Sequence, residues 1–483
     1  MAFVAKITIC VLLLFALCGQ CFMKVVVNVH KLNVAQHIGP KYVGVTIDSG
    51  AIKENWATID FKSPKFLTLA KGLAPNFLRV GGTECDFLIF NETTTTMDGS
   101  TDKAPRPNFT MTVTQWDQLN NFVSEVGWDL IFDLNVFLRK DGHWDPTNAI
   151  ELLKYTIEKG YRLAGYELGN ELDVFPDSPI NATEVAPDFA QLKKLLLSMP
   201  ELAPFFILGT DVGSVGSGSI TFMTEFFEAG GGASIDVATF HHYYMSSASA
   251  TVEKFHTAKV LDSLRLHLIN VTNLCKRFIP TKQIWLGETS SSYGGGAHEI
   301  SDRYVASFLW LDKLGLSSVL GIQGVLRQTF YGGNYGLIDI NLDPNPDYWL
   351  TVLFKRLVAS PVFTVPHPSN LDLRIYAHCT NTNSSMGYTK GSVTLYLLNL
   401  GNMTVPVDVP DMVNKTHHIY MFSPGDDSGL TSRSIKLNGV VLALANENEL
   451  PPLEPVIGQG NIQVDAYNMG YIVFPGAMRP ECV

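Results

Sequence analysis

Two apolar runs in the chain end in a glutamate. One reads Tyr166-Glu-Leu-Gly-Asn-Glu171 and the other Ile284-Trp-Leu-Gly-Glu288-Thr-Ser. Two carboxyl groups brought to one place from separate elements are what hydrolysis of a glycosidic bond needs. One donates a proton to the leaving oxygen, and the other attacks the anomeric carbon or activates a water. Asn170 adds an amide able to bond a sugar 2-hydroxyl, a contact that strengthens in the transition state. Either glutamate alone would be an ordinary charged residue at a strand end. Together, Glu171 and Glu288 point to a catalytic pair.

Such a pair has to be held by strands. Short, mostly apolar runs recur at Phe77–Gly81, Leu130–Asn135, Tyr166–Gly169, Phe206–Gly209, Val237–His242, Ile284–Glu288 and Val325–Phe330. Runs of this kind suit strands covered on both faces in a parallel sheet. Helical patterns alternate with them. In the clearest, Asp145 stands as N-cap, Pro146 at the first helical position and Gly160 at the end, with Ile150, Leu153 and Ile157 at helical spacing. Strand–helix alternation over residues 41–356 predicts an α/β fold, a (β/α)8 TIM barrel, whose chemistry belongs at the C-terminal ends of the strands. After Arg356 the texture changes. Ser392–Leu400 and His418–Phe422 are strand-like, with turn clusters such as Pro424–Gly429 between segments. Residues 357–483 therefore read as a β-sandwich domain. Residues 23–40 contain a further strand, Lys24–His30, placed to join that sandwich. Asn91–Thr110 reads as a surface loop.

With 483 residues, 46% of them hydrophobic, the chain can bury a large core in more than one domain. Residues 1–22 carry Lys6 and the apolar run Ile7–Leu17, a secretory signal pattern too short to span a bilayer. Asn91, Asn108, Asn181, Asn270, Asn383, Asn402 and Asn414 each begin an N-x-S/T sequon, which fits a secreted or lysosomal glycoprotein. Four cysteines lie beyond the signal: Cys85, Cys275, Cys379 and Cys482. That number allows one or two bridges, and the spacing gives no zinc site. A net charge of −11 excludes nucleic acid as a partner through the overall field. We expect no cofactor, no metal, no transmembrane segment and a monomer.

The chain resembles the heparanase family of endo-β-glucuronidases over nearly its whole mature length. The resemblance rests on Phe77-Leu-Arg-Val-Gly-Gly-Thr83, Tyr166–Glu171, His241-His-Tyr-Tyr244, Trp285–Gly296, Leu311-Asp-Lys-Leu-Gly-Leu316, Arg327-Gln328, Gly333-Asn-Tyr335, Pro346–Leu350 and His378-Cys-Thr-Asn-Thr382. It implies a retaining endo-β-glucuronidase acting on a glycosaminoglycan, heparan sulfate or hyaluronan, with Glu171 as acid/base and Glu288 as nucleophile. It also implies that Asp48, Thr83, Asn170, His241, Tyr243, Tyr293, Gly294, Gly295, Gln328 and Tyr335 line the cleft, and that Cys379 pairs with Cys482. Gly294 and Gly295 would let backbone N–H groups approach a uronate carboxylate.

Two features depart from the vertebrate pattern. The long excised linker is replaced by the short Asn91–Thr110 loop, so we expect a single working chain. Ser214–Ser219 and Leu172–Asp177 carry no cations where heparan-sulfate-cutting relatives are basic, and sulfates are held best by Arg and Lys. Ser301–Val305 and Tyr335–Leu337 look like the leech-type hyaluronidase branch. An exo-β-glucuronidase and a non-catalytic glycan-binding relative are the alternative readings.

Overall fold

The computed structural model describes residues 25–91, 106–175, 180–366 and 372–483. The expected signal, residues 1–22, lies outside these residues, as do 92–105 of the Asn91–Thr110 loop and part of Leu172–Asp177.

Eight parallel strands close into a barrel. In chain order they are β1 (Val43–Asp48), β2 (Asn76–Gly81), β3 (Trp128–Leu134), β4 (Gly165–Leu168), β5 (Phe206–Val212), β6 (Val237–His242), β7 (Gln283–Thr289) and β8 (Gly324–Arg327). β1 is the one strand absent from the apolar runs named above. Its sequence, Val-Gly-Val-Thr-Ile-Asp, alternates small or polar residues with aliphatic ones and hides its strand character. Helices between the strands cover the outside, among them Val113–Val126, Ala182–Leu197, Ala258–Phe278 and Ala306–Val319. The marked helix runs from Thr147 to Glu158 with Pro146 as its N-cap residue. Asp145 sits one place earlier than a cap, and its carboxylate accepts from the Thr147 N–H at 3.0 Å. Gly160 follows the helix with φ +70°, a conformation glycine adopts freely.

Alternate residues of each strand face the barrel interior. At the N-terminal end these are apolar: Ile131, Leu208, Val237, Trp285 and Leu326 form a plug, with Phe77 against it. Two residues further along, the same interior rows become polar or charged: Phe77 is followed by Arg79, Ile131 by Asp133, and Val237 by Thr239 and then His241. The barrel is therefore closed at the bottom by hydrophobic packing and opens upward into a polar well.

The C-terminal strands form two sheets. The larger runs in the order Asn33–Gln36, Val358–Thr364, Leu373–Thr380, Val393–Asn399, Met469–Phe474, Thr416–Pro424, Ile435–Leu437, Val440–Val441, and Val456–Gln459 also pairs with Thr416–Pro424. The smaller joins Val25–Val26, Val405–Asp408 and Ile462–Val464. Both N-terminal strands thus pair with strands more than three hundred residues away. Leu395, Leu397, Val407, Ile462 and Ile472 fill the space between the sheets. The opposite face of the large sheet, with Tyr376, Tyr396 and Tyr471, packs on the barrel. Val393–Asn399 is buried on both faces for this reason. Cys379 and Cys482 form a disulfide, and Cys85 and Cys275 are buried free thiols. Among the described residues no helix is long and apolar enough to cross a membrane. Of the sequon asparagines, Asn181, Asn270, Asn383, Asn402 and Asn414 are exposed and Asn108 is half-buried, whereas Asn91 is only 7% exposed.

Candidate active site

The residues named from sequence gather at the C-terminal ends of the strands. Asp48 closes β1, Thr83 opens the turn after β2, Asn170 and Glu171 follow β4, His241 lies near the end of β6 and Tyr243 just beyond it, Glu288 lies near the end of β7, and Gln328 and Tyr335 follow β8. Local backbone irregularities aim them. Glu171 has φ +54° and Asp211 φ +49°, both in the left-handed region, and the Glu171 N–H bonds the Asp211 carbonyl at 2.9 Å. Such strain persists only where the surroundings over-determine it, and it concentrates at functional sites. On β7 the register with β6 shifts between Leu286 and Glu288, a bulge that turns Glu288 into the well.

One oxygen each of Glu171 and Glu288 and one ring nitrogen of His241 all lie within 4.8 Å of one another. Glu288 is 8% exposed, and both its oxygens are engaged. The Arg79 Nη1 donates to one at 2.9 Å and the Tyr243 hydroxyl to the other at 2.5 Å. Burial, then the Glu288 charge, raises the Tyr243 phenol, which therefore stays protonated as a donor. Glu171 receives His241 Nδ1 at 2.7 Å, and Nε2 of the same ring lies 3.4 Å from Asp211. Burial alone would lower the His241 pKa, but Glu288, Asp211 and Glu171 outweigh it and push it up to about 10. Among the described residues Glu171, His241 and Glu288 are also the one group whose ligand atoms are spaced to hold an ion.

The remaining residues complete the mouth. Gln328 is buried and accepts from the Thr46 hydroxyl. The Tyr335 ring stacks on Tyr243 with centroids 6.3 Å apart, and Tyr293 meets Tyr243 edge-on. Gly294 and Gly295 both have φ +82°, and the Asn334 N–H bonds the Gly295 carbonyl at 2.8 Å, so the glycine turn and Tyr335 are held together. Asp48 is exposed to solvent at the rim, with many protein atoms around its carboxyl. That desolvation, with Glu288 and Glu84 nearby, pushes its carboxyl up to about 6.

Sequence reasoning missed what lies beneath the pair. Arg79 is fully buried and donates to Glu167 at 2.6 Å and to the Asn170 side-chain oxygen at 2.9 Å, as well as to Glu288. Asp133 accepts from the Gly169 N–H and Asp86 from the Asn170 N–H. Burial raises the carboxyls of Asp86 and Asp133 well above their usual range and Glu167 to about 7. The available signal was a charged residue inside an apolar strand, as in Phe77-Leu-Arg-Val80 and Ile131-Phe-Asp-Leu134, since burial of such a charge needs a partner.

A (β/α)8 barrel with two glutamates meeting at its C-terminal mouth has the arrangement that glycosidic hydrolysis uses. The glycosyl hydrolase family 79 N-terminal domain matches residues 52–315. The chain is 36% identical to heparanase of Mus musculus, over 92% of both chains. It is 33% identical to the hyaluronoglucuronidase of Hirudo nipponia, over 95% of this chain and 99% of that one. The chain belongs to glycosyl hydrolase family 79, among the heparanases and hyaluronoglucuronidase. In three dimensions it is similar to a 4-O-α-L-rhamnosyl-β-D-glucuronidase from Fusarium oxysporum (TM-score 0.69, 14% identity, covering 93% of this chain and 100% of that one).

Proposed function

We propose that the protein is a secreted, retaining endo-β-glucuronidase that cuts a glycosaminoglycan, with Glu171 as acid/base and Glu288 as nucleophile. The observation that carries this reading is the approach of the two carboxylates within 4.8 Å at their nearest oxygens. Retaining enzymes hold the two carboxyl groups roughly 5–5.5 Å apart, and inverting enzymes roughly 6.5–9.5 Å apart to leave room for water. In the first step Glu171 protonates the glycosidic oxygen as a Glu288 oxygen attacks the anomeric carbon, forming a glycosyl ester. In the second, Glu171 takes a proton from the water that hydrolyses the ester. Arg79 and Tyr243 orient Glu288, and His241 orients Glu171. With its oxygen bonded to Arg79, Asn170 presents its amide N–H2 for the sugar 2-hydroxyl. Gly294, Gly295 and Tyr335 would receive the uronate carboxylate. Asp48, Gly294 and Tyr293, the last 56% exposed, leave the mouth open on one side, as a polymer requires.

Hyaluronan, or sparsely sulfated heparan sulfate, fits this mouth better than heparin-like chains. Asp173 faces the Ser214 loop, bonding the Gly213 N–H at 2.8 Å, and neither segment offers a cation. Arg139 is occupied by Asp188 at 2.6 Å, and Lys254 by the Ser249 carbonyl. The net charge of −11 repels a dense polyanion further.

Side-by-side digestion of hyaluronan and heparan sulfate at matched uronate concentration, with products sized and the new reducing end followed by NMR, tests this. Fragments with initial β configuration are expected, and Glu288→Gln should be folded and inactive. Initial α product refutes retention, monosaccharide release from chain ends refutes the endo reading, and turnover that climbs with sulfate content refutes the substrate preference.

A further inference from the structure

The Leu311–Leu316 segment has no role in the mechanism above, yet it carries a buried lysine. Helix Ala306–Val319 is buried from Ala306 through Ser318. From it, Lys313, 1% exposed, extends its Nζ toward the ends of β6 and β7. It donates to the His242 carbonyl at 3.2 Å, the Thr289 hydroxyl at 2.5 Å and the Ser290 carbonyl at 2.8 Å. The Thr289 hydroxyl in turn donates to the His242 carbonyl. The same nitrogen also lies 4.6 Å from the centre of the Tyr244 ring.

Every atom that Lys313 grips is next in sequence to the nucleophile assembly or one residue beyond. His242 and Tyr244 flank Tyr243, and Thr289 and Ser290 follow Glu288. Tyr243 and Glu288 must stay within one short hydrogen bond of each other while β6 and β7 are offset by a bulge. Among the described residues no carboxylate forms an ion pair with Lys313. Oriented carbonyl dipoles, a hydroxyl and an aromatic face are its partners, and burial, with Arg327 nearby, lowers its pKa well below the usual lysine value, so placing a lysine here is costly whichever form it takes. Core packing alone would be served more cheaply by Met or Leu. The helix is fixed from its other side as well: the Tyr376 hydroxyl donates to Asp312 at 2.6 Å, and Gly315 leaves room for the Tyr376 ring.

We propose that Lys313 is a positioning residue, whose side-chain nitrogen ties together the ends of β6 and β7 so that Tyr243 and Glu288 keep attacking geometry. This rests on the reading of Glu288 as nucleophile.

The test uses full-length wild type, Lys313→Met, Thr289→Val and Thr289→Ser. Each is incubated with a 2-deoxy-2-fluoro-β-glucuronyl fluoride, which traps a nucleophile as a stable ester, and is assayed in parallel on hyaluronan. For Lys313→Met we expect labelling and kcat to slow by about 10- to 100-fold, the scale on which small misplacements of reacting groups act. KM should stay within a factor of about three, because substrate-binding groups are untouched. Thr289→Val should share the defect, and Thr289→Ser, which restores the hydroxyl, should recover most of the rate. The two threonine variants keep the proposal open to refutation even if Lys313→Met does not fold. Labelling of Lys313→Met at the wild-type rate, or Thr289→Ser as slow as Thr289→Val, overturns the proposal. Wild type that is never labelled, though active on hyaluronan, overturns the nucleophile assignment and this inference with it.

Discussion

Arg79 is the residue on which the site converges. Its guanidinium reaches Glu167, Glu288 and Asn170 with separate nitrogens, a use of the planar fork that lysine cannot copy. Removing it leaves Glu167 buried without its cation. Arg79→Met should therefore cost about 3–5 kcal/mol of stability, the range for breaking a buried pair, read as a lowered urea midpoint. Adding Glu167→Gln should return part of that loss, because the stranded charge is gone, without returning activity, because Glu288 stays unanchored. An Arg79→Met protein as stable as wild type would show that the well is hydrated and the pair is weak.

At the scale of elements, the turn after β7 and the loop after β8 act as one unit. Gly296 has φ +85°, and a Cβ there would lie 2.8 Å from the Tyr335 backbone nitrogen. Gly332 has φ +77°, but a Cβ there would meet open space. Both alanine variants carry left-handed strain of about 1–3 kcal/mol, and only Gly296→Ala must displace Tyr335. KM for a uronate polymer should rise in Gly296→Ala and stay near wild type in Gly332→Ala. Equal KM values would detach Tyr335 from substrate binding. In the sandwich, the Cys379–Cys482 bridge spans 103 residues of sequence. Loop-closure entropy puts its contribution at about 4–5 kcal/mol, so the Cys379→Ser/Cys482→Ser variant should melt well below wild type. No change in melting would mean that the unfolded chain is already compact there.

The molecule as a whole concentrates carboxyls in one well. Glu167 rises from 4.5 to about 7 chiefly through burial, and Asp48, raised toward about 6 but exposed and so screened by water, adds less. Between the unfolded and folded values the native state holds more protons, so stability is present at acid pH and falls as pH rises through these values. His241, raised from 6.5 to about 10 by three carboxylates, adds stability below 6.5 that is lost toward pH 10. All three effects favour the acid side. The melting temperature should be higher at pH 5 than at pH 7.5, and Glu167→Gln should flatten the slope between pH 4.5 and 7. A midpoint that rises with pH across that window would show that other groups control it.

The barrel was legible in the sequence because seven of its strands are apolar runs fit for burial on both sides, and β1 escaped because Gly44 and Thr46 interrupt its pattern. The placement of Glu171 and Glu288 at the barrel mouth was legible because each closes an apolar run. The tertiary structure alone decided which charges meet. Arg79, Asp133 and Glu167 lie 34 to 88 residues apart in sequence yet share one well, because period-two alternation points them inward at similar heights on neighbouring strands. Lys313 shows the same limit from outside the barrel. Its sequence marks only a lysine in an apolar helix, and what it grips depends on how that helix packs behind β6 and β7. A local pattern records burial and propensity, whereas a hydrogen-bonded network belongs to the closure of the barrel, which no single stretch of chain encodes.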